Sequence, residues 1–256
     1  MKTIDLSRGM VLVTGGGGSI GGAIAQEAAN AGAKVAVCDF NLSAAQDVVK
    51  KISAPGDTAK AYQVDVTSKS SIEKVMKQAT DDLGELIGLA TSAAVLRTGT
   101  LATQSEAGWR EIMSVNVDGT FFTVQSAIPY LEKTKGAIVT ISSVAAFIGS
   151  ADGTAYTTTK GAIQSFTYGA AGDLAPKGIR VNTVNPGWVD GGFTHQAMSQ
   201  VENPQELYDM AKNLHYLGRM ADPIDVANAV VWLLSDQAAF ITGTSLLVDG
   251  GYMIKH

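Results

Sequence analysis

Apolar residues in this chain fall into short, β-branched runs separated by stretches where they recur every three or four positions. Residues 10–14, 34–38, 59–64, 86–90, 136–141, 179–184 and 245–248 read as strands. Runs such as Val11-Leu12-Val13 and Ile138-Val139 are near-continuously apolar, the pattern of strands buried on both faces of a parallel sheet. Between them, Ile20, Ile24 and Ala28 step by four, and Ile72, Val75, Met76 and Ala79 share one face of a helix expected over 68–83. Further helices are expected over about 105–132, from the Tyr156 region to about 175, and over 224–234. Alternating strands and helices predict an α/β fold: a doubly wound, parallel, seven-stranded sheet in one domain spanning 1–256. Residues 190–220 show no clean period and are expected to form a lid or substrate loop.

Two places in this pattern carry chemistry. The first strand runs straight into Gly15-Gly-Gly-Gly-Ser-Ile-Gly-Gly22, and a helix follows. A strand, a glycine-rich turn and a helix start together present backbone N–H groups and a helix dipole to an anion. Gly16, Gly18 and Gly21 match the spacing of a dinucleotide fingerprint, although six glycines in eight residues allow other registers. The second strand ends in Asp39, about twenty residues on, where an acid is expected to meet the adenosine ribose hydroxyls. A plain turn-opening aspartate is the competing reading, and the glycine turn upstream weighs against it.

The second place is the stretch from Gly136 to Lys160. Ser142 and Ser143 fall at the carboxyl end of a buried strand, the edge where open α/β sheets bind ligands. Tyr156 and Lys160, four apart, lie one helical turn from each other on one face. An ordinary tyrosine has a pKa of about 10, and a neighbouring ammonium is expected to lower it toward the working range of a general acid/base. Tyr208 and Lys212 repeat the spacing without a strand or a correctly placed serine before them, so they are expected to be an ordinary surface pair.

Composition narrows the rest. At 46% hydrophobic and 17% charged, the 256 residues are globular, and a net charge of −5 with pI near 5.2 argues against nucleic acid as a partner. Asp5 and Arg8 interrupt the amino terminus before any apolar stretch, so neither a signal peptide nor a membrane span is expected. The lone Cys38 reads as a small buried residue in a reducing compartment, with cytoplasm the default. No metal site is expected.

In order along the chain, Thr14-Gly15 with Ile20-Gly21, Asp39, Asp65-Val66, Asn116, Ser143, Tyr156, Lys160, Pro186-Gly187 and Val248-Asp-Gly-Gly251 resemble the short-chain dehydrogenase/reductase family in its compact form. The resemblance implies a catalytic tetrad of Asn116, Ser143, Tyr156 and Lys160. In it Ser143 positions the substrate oxygen, Tyr156 is the acid/base, Lys160 holds the nicotinamide ribose and tunes Tyr156, and Asn116 supports a proton-relaying water. It also implies cofactor contacts from Gly15, Gly18, Ser19, Ile20, Gly21, Asp39, Asp65, Val66, Ala93, Pro186, Gly187 and the Val189 backbone, besides Tyr156 and Lys160. A homotetramer is implied as well. Three positions depart from the family's pattern: Ser19 replaces a glycine, Thr91-Ser-Ala-Ala94 replaces Asn-Asn-Ala-Gly, and Gly191 stands where a threonine is often found.

The expected activity is an NAD-dependent interconversion of a secondary alcohol and its ketone. Two alternatives are an NADPH-dependent 3-oxoacyl thioester reductase and a dinucleotide-binding module without turnover. Glycines at 16–18 and Phe40-Asn41 after Asp39 leave no basic residue for a 2′-phosphate, and the complete Ser143, Tyr156 and Lys160 set weighs against the module. The substrate is a small molecule; cyclic alcohols, sugars and hydroxy acids all remain open. Trp188, Phe193, Met198, Tyr208 and Met210 are pocket candidates, and Arg97 and His195 are either polar contacts or solvated surface.

Overall fold

The computed structural model describes residues 3–52, 59–149 and 151–255; the first two residues of the amino-terminal stretch lie outside these. Seven parallel strands form one sheet: β1 (Met10–Thr14), β2 (Lys34–Asp39), β3 (Ala59–Gln63), β4 (Leu86–Thr91), β5 (Ala137–Ile141), β6 (Arg180–Pro186) and β7 (Ser245–Val248). Their order is β3-β2-β1-β4-β5-β6-β7, so the chain switches direction across the sheet between β1 and β4. Such a switch opens a crevice at the carboxyl ends of the strands.

Side chains alternate across the strands and build two cores. On one face Val11, Val13, Val35, Val37, Val139 and Val184 pack against α1 (Ser19–Asn30), the Ala45 contact of α2 (Leu42–Lys51), and α9 (Pro223–Leu234). On the other, Met10, Leu12, Cys38, Leu89, Ile138 and Val181 meet α3 (Lys69–Leu83), the carboxyl-terminal part of the long central helix, and α6 (Thr154–Leu174). The predicted doubly wound architecture is the observed one. Helix α2 escaped the periodicity because only Ala45 on it is fully buried; its start is marked instead by Asn41, whose side chain accepts the Ala44 N–H.

Two expected stretches carry more detail than their periods show. The long helix is present and unbroken from Glu106 to Thr134, but α4 (Glu106–Met113) passes through a π-helical turn, Ser114–Asp118, before α5 (Gly119–Thr134). The wider turn coincides with an inward-facing Asn116 and with Gly119, where a Cβ would fall 2.8 Å from Val66 Cγ2. The segment 190–220, which shows no clean period in the sequence, contains two short helices. They are α7 (Gly192–Met198) and α8 (Pro204–Asn213), the second capped by Asn203, whose Oδ1 accepts the Glu206 N–H at 3.2 Å. Helices this short present too few turns for a period to emerge.

Candidate active site and dinucleotide cleft

The end of β5 and the first turns of α6 are stitched together by side chains. Ser142, buried, donates to the Lys160 carbonyl at 2.8 Å, while the Lys160 ammonium donates to the Ile141 carbonyl at 2.9 Å. These two bonds hold the helix face carrying Tyr156 over the strand end. Ser143 stays free of that clamp; its Oγ accepts the Ala145 N–H at 3.1 Å and stands beside the Tyr156 hydroxyl. Lys160 Nζ lies 5.4 Å from the Tyr156 ring centroid. Serine, tyrosine and lysine therefore share one small volume, as their spacing predicts.

The electrostatics differ from the expectation. Burial pushes the Tyr156 phenol up to about 12, with the Ser143 hydrogen bond acting in the opposite direction. Burial also pulls Lys160 down to about 8. With its ammonium turned to the Ile141 carbonyl, Lys160 does not lower the phenol, and desolvation outweighs the Ser143 hydrogen bond.

Asn116 is fully buried and acts as a clamp. Its Oδ1 accepts the Val95 N–H at 2.8 Å, and its Nδ2 donates to Val95 O at 3.1 Å and to Thr159 Oγ1 at 3.2 Å. It thus ties the segment after β4 to α6. The Thr120 hydroxyl donates to the Asn116 carbonyl at 2.7 Å. Val95 and Thr159 were not singled out from sequence, because neither belongs to a local pattern.

Opposite lies the glycine turn. A Cβ on Gly15 would stand 2.6 Å from Ala93 N, so the turn packs directly on the backbone after β4, and Ser92 N–H reaches back to Thr14 O at 3.0 Å. Gly21 is packed against the Gly15 carbonyl in the same way. The first N–H groups of α1 face outward from this turn without helical partners. Asp39 closes the far side: one carboxylate oxygen accepts Gly17 N–H and the other Asn41 N–H, each at 2.9 Å. Asp65 caps its own turn by accepting from the Thr67 N–H and hydroxyl, while Val66 is buried beside Gly119.

At the end of β6, Pro186 and Gly187 turn the chain across the cleft. Val189 pairs with Ala221: Ala221 N–H donates to Trp188 O at 2.9 Å and Asp190 N–H to Ala221 O at 2.8 Å. Val189's own N–H and C=O consequently face the opposite way. A residue missed from sequence sits behind this turn. His215 is 1% exposed; its Nε2 accepts the Trp188 N–H at 3.2 Å and its Nδ1 lies 2.9 Å from Ala211 O. Because a backbone N–H can only donate, Nε2 is the bare nitrogen and Nδ1 carries the proton. A Cβ at Gly187 would fall 2.6 Å from His215 Nε2, which is why that position is glycine. No motif spacing announces His215.

The remaining candidates separate. Phe193, on α7, meets the Tyr156 ring edge-on with centroids 6.2 Å apart. Arg97 is held by both oxygens of Glu111, and His195 by Asp190 at 2.7 Å. Lys212 pairs with Asp209 at 2.9 Å, away from any strand end, so the Tyr208–Lys212 repeat is a surface pair as expected. Met210 points outward, 43% exposed.

A Rossmann sheet with this serine, tyrosine and lysine at one strand end belongs to a recognisable class. The chain is a member of the short-chain dehydrogenase/reductase family, and a family model described as enoyl-(acyl carrier protein) reductase matches residues 16–253. It is 39% identical over 249 residues to 2-(S)-hydroxypropyl-CoM dehydrogenase 3 of Xanthobacter autotrophicus, covering 96% of this chain and 97% of that one. Meso-2,3-butanediol dehydrogenase of Serratia marcescens is 35% identical over 244 residues, covering 94% and 93%. Among solved structures, the ligand-free aldohexose dehydrogenase of Thermoplasma acidophilum superposes with a TM-score of 0.87 at 31% identity, covering 100% of this chain and 98% of that one.

Proposed function

We propose that this protein interconverts a secondary alcohol and its ketone with NAD(H), using Ser143, Tyr156 and Lys160 beside the glycine-turn cleft. The observation that carries this reading is the convergence of those three side chains at the carboxyl end of β5, facing the switch point of the sheet. The cleft fits a dinucleotide: the glycine turn leaves no room for side chains, α1 offers unpartnered N–H groups, and Val189 turns free amide groups inward. A nicotinamide dinucleotide bound there supplies the hydride acceptor for an alcohol and the donor for a ketone.

The chain's own residues handle the proton. Ser143 Oγ has spare hydrogen-bonding capacity for the substrate oxygen, and Tyr156, protonated at neutral pH, can give its proton to a forming alkoxide. In the reverse direction Tyr156 must accept the alcohol proton, and Lys160, 5.4 Å from its ring centroid, supports the phenolate once its ammonium turns from the Ile141 carbonyl. Asn116 positions rather than reacts, by fixing α6 against Val95 and thereby supporting any proton path near Lys160.

Asp39 favours NAD. Two like charges about 4 Å apart cost on the order of 1 to 4 kcal/mol between water and a protein surface, and no ion pair to Asp39 exists among the described residues to offset it. With Arg97 and His195 committed to carboxylates and Phe193 packed on the Tyr156 ring, the surroundings of Tyr156 suit an uncharged alcohol or ketone. The lone Cys38, buried with its thiol pushed up by desolvation, suits a reducing compartment such as the cytoplasm. Exposed Phe121 and Tyr168 on α5 and α6 support a homotetramer built on those helices.

The test is a panel of cyclic, acyclic and sugar alcohols and their ketones, followed by NAD(P)H absorbance with both cofactors. Turnover is expected with an uncharged secondary alcohol, with kcat/KM favouring NAD over NADP by at least about ten-fold. NADH binding without turnover anywhere in the panel would overturn the enzyme reading, and equal use of NADP would overturn the role given to Asp39.

A further inference from the structure

Two of the three departures from the family pattern, Ser19 and Gly191, are not independent of each other. Ser19, the first residue of α1, is half-buried, and its hydroxyl has no hydrogen-bond partner among the described residues. Across the mouth of the cleft, Gly191 and Gly192 lead into α7 with φ of +149° and +49°. A Cβ built on Gly191 would stand 3.0 Å from Ser19 Cβ and 3.2 Å from its Oγ, and one on Gly192 would stand 2.8 Å from that Oγ. The volume in front of α1 thus admits a side chain from position 19 or from position 191, but not from both without movement. In this chain the side chain stands on the position-19 wall of the cleft, and position 191 has none.

That volume has a particular neighbourhood. On one side are the unpartnered N–H groups at the start of α1, the natural seat of a diphosphate. On the other begins α7, which carries Phe193 onto the Tyr156 ring. A hydroxyl with unused bonding capacity, standing between the two, can donate to a phosphate oxygen while its Cβ rests on the Gly191 backbone.

We propose that Ser19 and the Gly191–Gly192 pair are one matched device, in which the Ser19 hydroxyl grips the dinucleotide diphosphate and ties it to the start of the α7 lid. The ligand half of this rests on the dinucleotide reading above; the steric half does not. Glycine at 191 is then required by the serine at 19 as well as by its backbone, and cofactor binding sets the position of the helix that covers the substrate.

The experiment uses the full-length protein and five forms: wild type, Ser19→Ala, Ser19→Gly, Gly191→Ala and Ser19→Gly/Gly191→Ala. NADH binding is read by fluorescence titration, and cofactor-free stability by thermal unfolding. Ser19→Ala keeps the Cβ and is expected to leave the apo melting temperature unchanged while weakening NADH by about ten-fold, as loss of a hydrogen bond to a charged group does. Saturating NADH should also protect the 190–220 segment of this variant from protease less than it protects wild type. Gly191→Ala should lower the apo melting temperature, and the double variant should recover part of that loss; backbone strain at φ +149° is common to both backgrounds and cancels in the cycle. Wild-type NADH affinity in Ser19→Ala overturns the hydroxyl's role, and strictly additive melting losses overturn the matched pair. A wild type that binds neither NADH nor NADPH overturns the dinucleotide reading itself, leaving the unfolding cycle to decide the steric half alone.

Discussion

Lys160 is 3% exposed, with its ammonium on one backbone carbonyl and a phenol ring beside it, so its chemistry is dominated by desolvation. Its value of about 8 lies below the ordinary 10.5, which means the folded protein sheds this proton before the unfolded chain does. The burden on stability is therefore full below about pH 8 and lifts as pH rises from there toward 10.5. Comparing cofactor-free wild type with Lys160→Met by thermal unfolding should show wild type gaining on the variant across that window; parallel pH curves would remove the buried cation. Tyr156 is tested by the loss of one atom. Tyr156→Phe keeps the ring against Phe193, so NADH affinity should hold while turnover falls by at least the roughly 10²-fold typical of a lost general acid/base. A variant retaining most of its turnover would rule out the phenol as proton donor. Both residues were legible in the sequence because one helical turn separates them. The direction of the Tyr156 shift was not, since it is set by how far the fold removes the phenol from water.

At the scale of elements, the site depends on how α6, the π-helical turn and α7 meet the sheet. Asn116 joins the first two by reaching Val95 and Thr159, contacts 21 and 43 residues away in sequence. Helix α7 is anchored more lightly: Thr194 is buried, but much of its remaining surface is exposed, and it starts from two left-handed glycines. Short, lightly packed elements over a site are drawn from the low-stability end of a structure. Limited proteolysis of the apo protein should cut first within 190–220, and NADH should slow that cut. Equal rates with and without cofactor would show that α7 and α8 are fixed parts of the wall. His215 braces the same region from behind, holding Trp188 N–H, and its Lys255 contact links that brace to the carboxyl-terminal end.

At the scale of the whole molecule, the exposed aromatic face of α5 and α6 bears on assembly: Phe121 is 43% and Tyr168 47% exposed on neighbouring long helices. Burial of such rings between copies is favourable at about 25 cal/mol per Å² of apolar surface. The proposed homotetramer predicts a light-scattering mass of four times the 26.6 kDa chain, lowered by charged substitutions at Phe121 and Tyr168 together. A wild-type monomer would overturn the proposed assembly. The sequence by itself determined the parallel sheet, both cores, the glycine turn, Asp39 and the serine–tyrosine–lysine set, because each is written in local period or short spacing. Only the tertiary structure decided that Asn116 is a clamp, that His215 supports the Trp188 turn, that Lys160 faces a carbonyl, and that Ser19 and Gly191 share one volume. Those outcomes join residues tens to nearly two hundred positions apart, and no local pattern encodes which distant backbone a buried polar group will meet.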